Sequence, residues 1–364
     1  MAENQSTDMD DSEDVVTLAH GAGGGAMRSM LQDLVVPRFA GNGAATDGTE
    51  VADDGDTPRV GLPELDDGAV HPVGDDGALV VTTDSHVVKP LFFPGGDIGR
   101  LAVAGTVNDL AMMGATEPTA LTCSLVLEEG TPTSDVQRVI ESMAATAEEA
   151  DVSISTGDTK VMGNGDVDGI VINTAGVAYL DGNAPVSDAG LDPGDALIVS
   201  GPMGDHGIAL LSAREGFDFT GDLESDVAPV NGFVGAAMDA GRITAMKDPT
   251  RGGLANALNE MAEKADVGID IDEQRIPISG ATASAGEVLG IDPLSVANEG
   301  KVVMGVDQND AKAVLEAIQA CPGGKDAEIV GQASEDHTGR VVVDTGFGRR
   351  YLSEPEGEAL PRIC

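Results

Sequence analysis

The chain ends in a cysteine that closes a segment without regular structure. Cys364 is one of only three cysteines, and the segment 351–364 contains two prolines and shows neither helical nor strand periodicity. We expect this tail to be extended and mobile, with a reach on the order of 45 Å. A terminal thiol on such an arm could accept an acyl group and carry it to a cleft. Chain ends are also commonly frayed without function, so the tail alone leaves both interpretations open.

Carboxylates occur at four places where predicted strands end or predicted helices begin. They are Asp75 with Asp76, Asp84, Asn108 with Asp109, and Asp158. Taken singly, each is most often a loop or cap residue. Oxygens converging from several strand ends are, however, what Mg²⁺ requires when it bridges to nucleotide phosphates, so together they predict a nucleotide and Mg²⁺ site. The predicted metal ligands are Asp76, Asp84, Asp109 and Asp158.

Glycine-rich turns add a second feature of a nucleotide site. Gly21 to Gly25 and the pair Gly95-Gly96 stand ahead of predicted helices, where backbone N–H groups can face a polyphosphate. The chain has no Gly-x-x-x-x-Gly-Lys-Ser/Thr sequence, so a P-loop is not predicted.

The elements that must position these residues alternate between strands and helices. Apolar residues at helical spacing predict a clear helix from Ser134 to Ala150, and the segment 181–194, rich in Asp, Gly, Pro and Asn, predicts a domain boundary. Alternation on both sides of it predicts two α/β domains. The predicted parts are an acidic disordered arm (1–14), an N-terminal domain (15–182) with an acidic insertion (43–72), a C-terminal domain (183–348) and a flexible tail (349–364).

The composition is extremely acidic. With 63 Asp and Glu residues against 20 Lys and Arg, the net charge is −43, whereas the hydrophobic share of 41% is ordinary for a folded protein. Such a surface is typical of a protein that works at high salt, where ions screen the self-repulsion, and we predict that desalting unfolds it. Nucleic-acid binding is not expected, because phosphate contacts need a basic face.

Neither a membrane span nor an export signal is predicted. No run of 18 apolar residues occurs, and residues 1–14 are acidic, unlike a signal peptide. We therefore expect a cytoplasmic protein that does not bind membranes, with Cys123, Cys321 and Cys364 as reduced thiols.

Several segments resemble the ATP-binding half of the aminoimidazole-ribonucleotide synthetase superfamily. They are Asp75-Asp-Gly-Ala78, Thr82-Thr-Asp-Ser85, Gly105 to Ala115, and Gly157-Asp-Thr-Lys160. Further segments resemble the HypE family, the carbamoyl dehydratases of [NiFe]-hydrogenase maturation. They are Pro90 to Asp97, Ser200 to Gly207, Asp248 to Leu254, Ala297 to Lys301, and the terminal Pro361-Arg-Ile-Cys364. The resemblance covers roughly residues 15–364, and its most specific element is the Pro-Arg-Ile-Cys terminus.

The resemblance implies a two-domain α/β (α+β) fold of the aminoimidazole-ribonucleotide synthetase type. It also implies a homodimer that pairs through its N-terminal sheets, with ATP held between domains. In such a protein the C-terminal thiol receives a carbamoyl group from the carbamoyltransferase HypF. ATP then drives dehydration of the thiocarbamate to a thiocyanate, and the cyano group passes to iron on the HypC–HypD complex.

The same resemblance suggests roles for individual residues. Glu299 is expected to act as the base, Asn298 to position the substrate amide or a phosphate, and Lys160 to stabilise phosphoryl charge. Cys364 carries the substrate. The residues expected to bind ATP and Mg²⁺ are Asp75, Asp76, Asp84, Asp97, Asn108, Asp109, Asp158 and His20.

Two alternatives stay open at this point. The chain could be another ATP-dependent member of the superfamily, such as a selenophosphate synthetase or a thiamine-monophosphate kinase. It could also be a non-catalytic thiol carrier that binds ATP only for structure. The acidic arm and the 43–72 insertion depart from the family pattern, and we expect them to leave the motif positions unaffected.

Overall fold

In the computed structural model, the described residues are 15–21, 24–39, 60–74, 77–181, 185–217 and 223–354. Several predicted features therefore lie outside the described residues. They are the acidic arm 1–14, most of the 43–72 insertion, Asp75, Asp76, the boundary at 182–183, and the end of the tail with Cys364. In the described ranges, no helix has the length and apolar character needed to cross a bilayer.

The N-terminal domain is built on a mixed five-stranded sheet of order β1-β2-β7-β5-β6, in which only β5 and β6 run parallel. Its strands, with a two-residue ribbon β3–β4, are β1 (Ala69–Val73), β2 (Gly77–His86), β3 (Phe92–Phe93), β4 (Gly96–Asp97), β5 (Pro118–Glu128), β6 (Ile154–Met162) and β7 (Ile170–Asp181). Its helices are α1 (Gly24–Met30), α2 (Val36–Phe39), α3 (Ile98–Met112) and α4 (Thr133–Glu149). A π-helical turn, Leu31–Val35, joins α1 to α2.

Helix α3 is the central element of the molecule. Thirteen of its 15 residues are buried, because Ala, Gly and Val side chains let it pack between the sheet and the C-terminal domain. Helix α4 covers α3 through Val139, Met143 and Ala147, which repeat every four residues on one face. Among the residues that the structure describes, the helix that packs on this sheet is α3, and the opposite face is left without a helix.

The C-terminal domain is a seven-stranded sheet of order β14-β13-β10-β12-β8-β11-β9, with only β10 and β13 parallel. Its strands are β8 (Ala196–Val199), β9 (Ile243–Lys247), β10 (Gly268–Asp272), β11 (Val303–Val306), β12 (Glu328–Ser334), β13 (Val341–Asp344) and β14 (Arg349–Leu352). Its helices are α5 (Asp205–Glu215), α6 (Asn231–Ala240), α7 (Gly253–Ala265), α8 (Gly280–Leu289) and α9 (Ala311–Gln319). Helix α7 packs in one apolar cluster of the sheet, and α6 and α9 pack in another.

The predicted two-domain fold is confirmed, and the α+β description fits it better than α/β, because antiparallel pairs dominate both sheets. Residues Leu18–Gly21 form a 3-10 turn. Two predicted boundaries differ from the structure. Strand β1 begins at Ala69, so the predicted insertion 43–72 overlaps the first four residues of this strand. The tail begins later than predicted, because β14 pairs with β13 and buries Leu352.

Candidate active site

A cleft of about 440 Å³ lies between the two domains. Helix α1 forms one wall, β2 and α3 form another, and the start of α7 closes the third side. The acidic residues that line it are Asp66, Asp67, Asp84, Asp109, Asp248, Glu260 and Glu299. The basic ones are Arg28, Lys247, Arg251 and Lys264. Carboxylates from both domains therefore face one space.

Asp84 and Asp109 form the part of the cleft that the sequence predicts. Asp84 lies near the end of β2, and Asp109 lies in the last turn of α3, where it accepts a hydrogen bond from Thr82 Oγ1 at 2.9 Å. Gly105 keeps the two elements close, since a Cβ there would stand 3.6 Å from Asp84 Oδ2 and 3.0 Å from His86 Cε1. Burial raises the pKa of Asp109 well above its usual value, and Asp248 and Asp84 raise it further.

His86 lies fully buried beneath Asp84. Its Nε2 stands 3.5 Å from Asp84 Oδ2, too long for a good hydrogen bond, and within the described part of the chain neither ring nitrogen has a hydrogen-bond partner. Burial lowers the pKa of His86 despite the neighbouring Asp84, so this imidazole is neutral at neutral pH.

A buried lysine holds the acidic segment ahead of β1 against the C-terminal domain. Lys247 Nζ contacts Asp67 at 3.2 Å, Asp188 at 3.0 Å and Glu260 at 3.3 Å, and Lys264 Nζ adds a second cation 2.6 Å from Asp188. Burial by itself lowers the pKa of Lys247, but the three carboxylates outweigh burial and hold it well above its ordinary value.

Asp67 has one oxygen that this lysine leaves unsatisfied. Oδ1 faces Lys247, whereas Oδ2 is buried and, among the described residues, accepts no hydrogen bond. Burial raises the pKa of Asp67 well above its usual value, with Lys247 opposing the shift. A buried oxygen without a donor in an acidic cleft suits a cation.

Asp248 and Glu299 complete the floor from the C-terminal side. Burial raises the pKa of Asp248 to about 6, with Lys247 opposing and Asp84 reinforcing the shift. Burial raises the pKa of Glu299 well above its usual value, and Asp248 and Asp84 add to it. Within the described ranges Glu299 Oε1 accepts no hydrogen bond. Burial and the neighbouring charges both favour the protonated form of Glu299.

Asn298 lies beneath the floor and not in the cleft lining. Its Oδ1 accepts a hydrogen bond from Gly204 N–H at 2.9 Å, and its Nδ2 donates to Pro202 O at 3.2 Å and Asp226 Oδ2 at 2.9 Å. Asp226 also accepts the Glu299 N–H at 3.2 Å. The structure therefore favours a role in orienting Glu299 over the predicted contact with substrate.

Three residues predicted to bind the cofactor lie outside the cleft lining and have structural partners. Asp97 caps α3 by accepting the N–H groups of Gly99 and Arg100. Asn108 Nδ2 donates to the carbonyls of Ala228 and Glu299 at 3.2 Å each, which ties α3 to the C-terminal domain. His20 contacts Thr17 in the 3-10 turn. All three support the walls of the cleft.

The predicted pair Asp158 and Lys160 lies away from Asp84 within one chain. Both residues are on edge strand β6, and β5 and β7 separate β6 from β2, which corresponds to about 14 Å. Alternation places Asp158 opposite Ser124, on the face without helices, whereas Asp84 lies on the helix-covered face with Thr174. Lys160 Nζ contacts Asp158 Oδ2 at 2.7 Å, and both side chains are largely exposed.

The predicted four-ligand metal site is therefore not formed within one chain. Asp76 lies outside the described residues, Asp158 lies on another face, and no three His, Cys, Asp or Glu residues of the described ranges converge into a metal cluster. Asp84 and Asp109 are brought together, with Asp67 and Asp248 beside them. These acids could share a cation that phosphate oxygens also coordinate.

The sequence interpretation missed several residues of the cleft. Asp66 and Asp67 fell in a stretch read as a surface insertion, yet Asp66 accepts the Ser187 hydroxyl at 2.7 Å and lines the cleft. Lys247 and Glu260 lie outside every motif identified in the sequence. Asp248 stood in a quoted motif, Asp248-Pro-Thr-Arg-Gly-Gly253, which could have assigned it to the site.

The sequence of this chain is similar to those of several known proteins. Family models described as AIR synthase related protein match residues 65–180 with their N-terminal domain and 192–344 with their C-terminal domain. A putative hydrogenase expression/formation protein of Methanocaldococcus jannaschii is 48% identical over 353 residues, 96% of this chain and 99% of that protein. A carbamoyl dehydratase HypE of Rhizobium leguminosarum is 44% identical over 96% of this chain and 95% of that protein.

Solved structures agree with the sequence relatives. A chain from the crystal structure of a HypE-HypF complex has a TM-score of 0.79 and 40% identity, covering 90% of this chain and all of that one. A hydrogenase maturation protein HypE in complex with ATP has a TM-score of 0.77 and 38% identity, covering 96% of this chain and all of that one.

Proposed function

The chain belongs to the HypE branch of the AIR synthase related family, and on this premise we propose that it is an ATP-dependent carbamoyl dehydratase acting on its own Cys364. The reaction serves hydrogenase maturation. The observation that carries the proposal is the cleft between the domains, in which carboxylates of both domains face each other beside the start of the C-terminal tail.

The reaction balances as a dehydration coupled to ATP hydrolysis. The carbamoyl oxygen of the Cys364 thiocarbamate attacks the γ-phosphorus of ATP, and ADP leaves. The C–O bond then breaks, phosphate leaves, and the nitrogen loses both protons to give S–C≡N. The protein must hold the nucleotide, offset charge on the transferred phosphoryl group and accept protons from nitrogen.

Glu299 is suited to accept a proton. It is buried on the cleft floor, and its backbone is fixed by Asp226, Asn108 and Ala228. Burial raises its pKa, and the charges of Asp248 and Asp84 raise it further. Offsetting these two carboxylates would lower the pKa of Glu299 and favour its carboxylate form, which can take a proton from the carbamoyl nitrogen.

Mg²⁺ fits the acidic side of the cleft. Asp84 and Asp109 would hold it, with Asp67 and Asp248 as further oxygen donors, and the unsatisfied Asp67 Oδ2 supports this assignment. When bound, Mg²⁺ would neutralise phosphate oxygens and favour phosphoryl transfer. Arg251 lines the cleft and suits a phosphate contact.

A homodimer accounts for the uncovered sheet face and for strand β6. On that face Val81, Val126, Val171 and Val177 are only half-buried, and the side chains from Ser155 to Met162 on β6 are exposed. Pairing of two such faces would bury apolar surface and bring Asp158 and Lys160 of one chain toward the cleft of the other. We assign Lys160 to phosphoryl charge stabilisation in the partner's cleft.

The partners follow from the family resemblance, and one solved structure of a relative is a HypE-HypF complex. A HypF carbamoyltransferase delivers the carbamoyl group to Cys364, and the cyano group is passed to iron on a HypC–HypD complex. The cytoplasmic location remains a prediction from the sequence.

The proposal is tested by weighing the C-terminal peptide. After incubation with HypF, carbamoyl phosphate, ATP and Mg²⁺, the peptide should gain about 43 Da and then settle at about 25 Da above its starting mass. Glu299→Gln should stop at the first mass, and Cys364→Ala should show neither. A carbamoyl adduct that never loses water would leave the thiol-carrier alternative, and phosphorylation of a small molecule without any adduct would favour the kinase-like members.

A further inference from the structure

Arg28 joins three parts of the chain that are far apart in sequence. It lies on α1 and lines the cleft, with its guanidinium mostly buried. Its Nη2 contacts Glu260 Oε1 at 3.0 Å, and its Nη1 contacts Glu263 Oε2 at 2.8 Å, both on α7. Nη2 also contacts Glu354 Oε1 at 3.4 Å. Glu354 is the last described residue before the tail.

The two α7 contacts hold the guanidinium in one place. Two carboxylates on successive helical turns engage different nitrogens of a planar group, which restricts its orientation more than a single contact would. Glu260 is itself fixed, because its other oxygen stands 3.3 Å from the buried Lys247 and its Oε1 accepts a hydrogen bond from Asn256. Arg28 is therefore a rigid cation at the cleft wall.

The chain just before the tail is anchored at the same point. Leu352, the last residue of β14, is buried, and its carbonyl accepts a hydrogen bond from Asn259 Nδ2 at 3.0 Å. Two residues later the Glu354 side chain, 28% exposed, meets Arg28. The tail therefore starts beside a residue that lines the cleft.

We propose that Arg28 is a positioning residue for the tail: by holding Glu354 it sets the point from which the Cys364 arm starts, at the mouth of the chain's own cleft. The inference rests on the proposed function. Cys364 lies ten positions after Glu354, and a chain of that length spans at most about 35 Å. The local concentration of a tethered group depends on how its tether length matches the distance to be spanned. Freeing the start of the tail increases the volume that the thiol searches and lowers its concentration at the cleft.

Glu354→Gln is the sharpest variant, because it removes the tail contact and leaves the cleft residues intact. In the carbamoyl-loaded full-length protein we expect conversion of S-carbamoyl to S-cyano to slow by about twofold to fivefold. The ATP dissociation constant, measured by titration calorimetry, should not change. Glu354→Asp, which keeps the charge, should restore most of the rate. Glu273→Gln is the matched control, since it removes an ion pair with Arg350 of β14 that involves neither Arg28 nor the cleft lining, and it should convert at the wild-type rate.

Two results would overturn the inference. Conversion of the Glu354→Gln protein at the wild-type rate would show that the contact does not position the tail. A parallel weakening of ATP binding would show that the contact supports the cleft instead. If the wild-type protein formed no cyano adduct under the same conditions, the proposed function would fail, which is a different outcome from an unaffected variant.

Discussion

Two groups of Lys and Asp residues in this chain have similar contact distances but differ in burial. On edge strand β6, Lys160 and Asp158 are 2.7 Å apart, with 68% and 62% of their side chains exposed. At the domain junction Lys247 stands 3.0 Å from Asp188 and 3.2 Å from Asp67, with only 9% of its side chain exposed. The edge contact is the shorter of the two, yet water screens it.

The comparison shows that burial determines how far the pKa values in such a group are shifted. Burial and neighbouring charges raise the pKa of Asp67, Asp109 and Glu299 well above usual values, while contacts with Lys160 and Thr159 lower the pKa of Asp158. Ionisation of these buried carboxylates is therefore unfavourable, and a bound cation would offset that cost. The edge pair has no such environment in one chain, so its motif makes chemical sense only if a second chain covers it.

The largest expected effect tests whether the edge pair serves a second chain. Lys160→Ala alone should lower conversion of S-carbamoyl to S-cyano by about 100-fold, and Glu299→Gln should do at least as much. Mixed dimers of the two variants should regain about a quarter of wild-type activity, because half of the dimers are mixed and each contains one cleft with both residues intact. Activity is measured after refolding or subunit exchange of equimolar variants.

The control for this experiment is each variant mixed with itself. No recovery in the mixture, with dimers shown by light scattering, would contradict action across subunits and place Lys160 in the cleft of its own chain. Recovery well above one quarter would indicate that a defective subunit still contributes.

The sequence was sufficient to predict site residues that lie near the end of a buried strand or helix and belong to a recognisable motif. Asp84 and Asp109 line the cleft as predicted, because an apolar strand and an apolar helix each bring a single carboxylate to one edge. Asp97 is also a carboxylate and Asn108 carries a similar amide oxygen, but these oxygens accept hydrogen bonds from backbone N–H groups of α3 and of the C-terminal domain. Residue type at a helix start does not distinguish a cap from a ligand.

The remaining differences have other physical causes. Asp66 and Asp67 lie in a stretch without periodicity, and their position depends on Ser187 and Lys247, more than 100 residues away. Strand β1 contains a proline and only a few apolar residues, which is tolerated because it is an edge strand. Long-range contacts of this kind leave no local pattern in the sequence.

A smaller effect, on the free energy of unfolding, tests whether ionisation of the buried cleft carboxylates destabilises the fold. The pKa of Asp248 is about 6 in the folded protein and about 3.9 in an unfolded chain, so the folded state binds the proton more tightly. Its contribution to stability is therefore largest below pH 4 and is lost as the pH rises through 6. Asp248→Asn should raise the free energy of unfolding at pH 7 by about 1 to 3 kcal/mol, and the gain should vanish below pH 4.

Denaturant unfolding in molar salt, without nucleotide or divalent cations, measures this difference at several pH values. If Asp248→Asn raised the free energy of unfolding by the same amount at pH 4 and pH 7, ionisation of Asp248 would not be what destabilises the folded state. The same variant should bind ATP and Mg²⁺ more weakly, since it removes one oxygen charge from the acidic side of the cleft.

The smallest effect on stability is expected for the edge pair Asp158 and Lys160. The contact with Lys160 and the Thr159 N–H lower the pKa of Asp158, so any stability it contributes is present above its unfolded pKa and is lost as the pH falls through the lower folded value. Because both side chains are exposed, Asp158→Asn should leave the midpoint of denaturant unfolding of the isolated monomer unchanged within error at pH 7. Conversion activity in the dimer should nevertheless fall, since the Lys160 ammonium loses the carboxylate that orients it. A clear loss of monomer stability would instead make the pair part of the fold, and the contrast between the two groups would disappear.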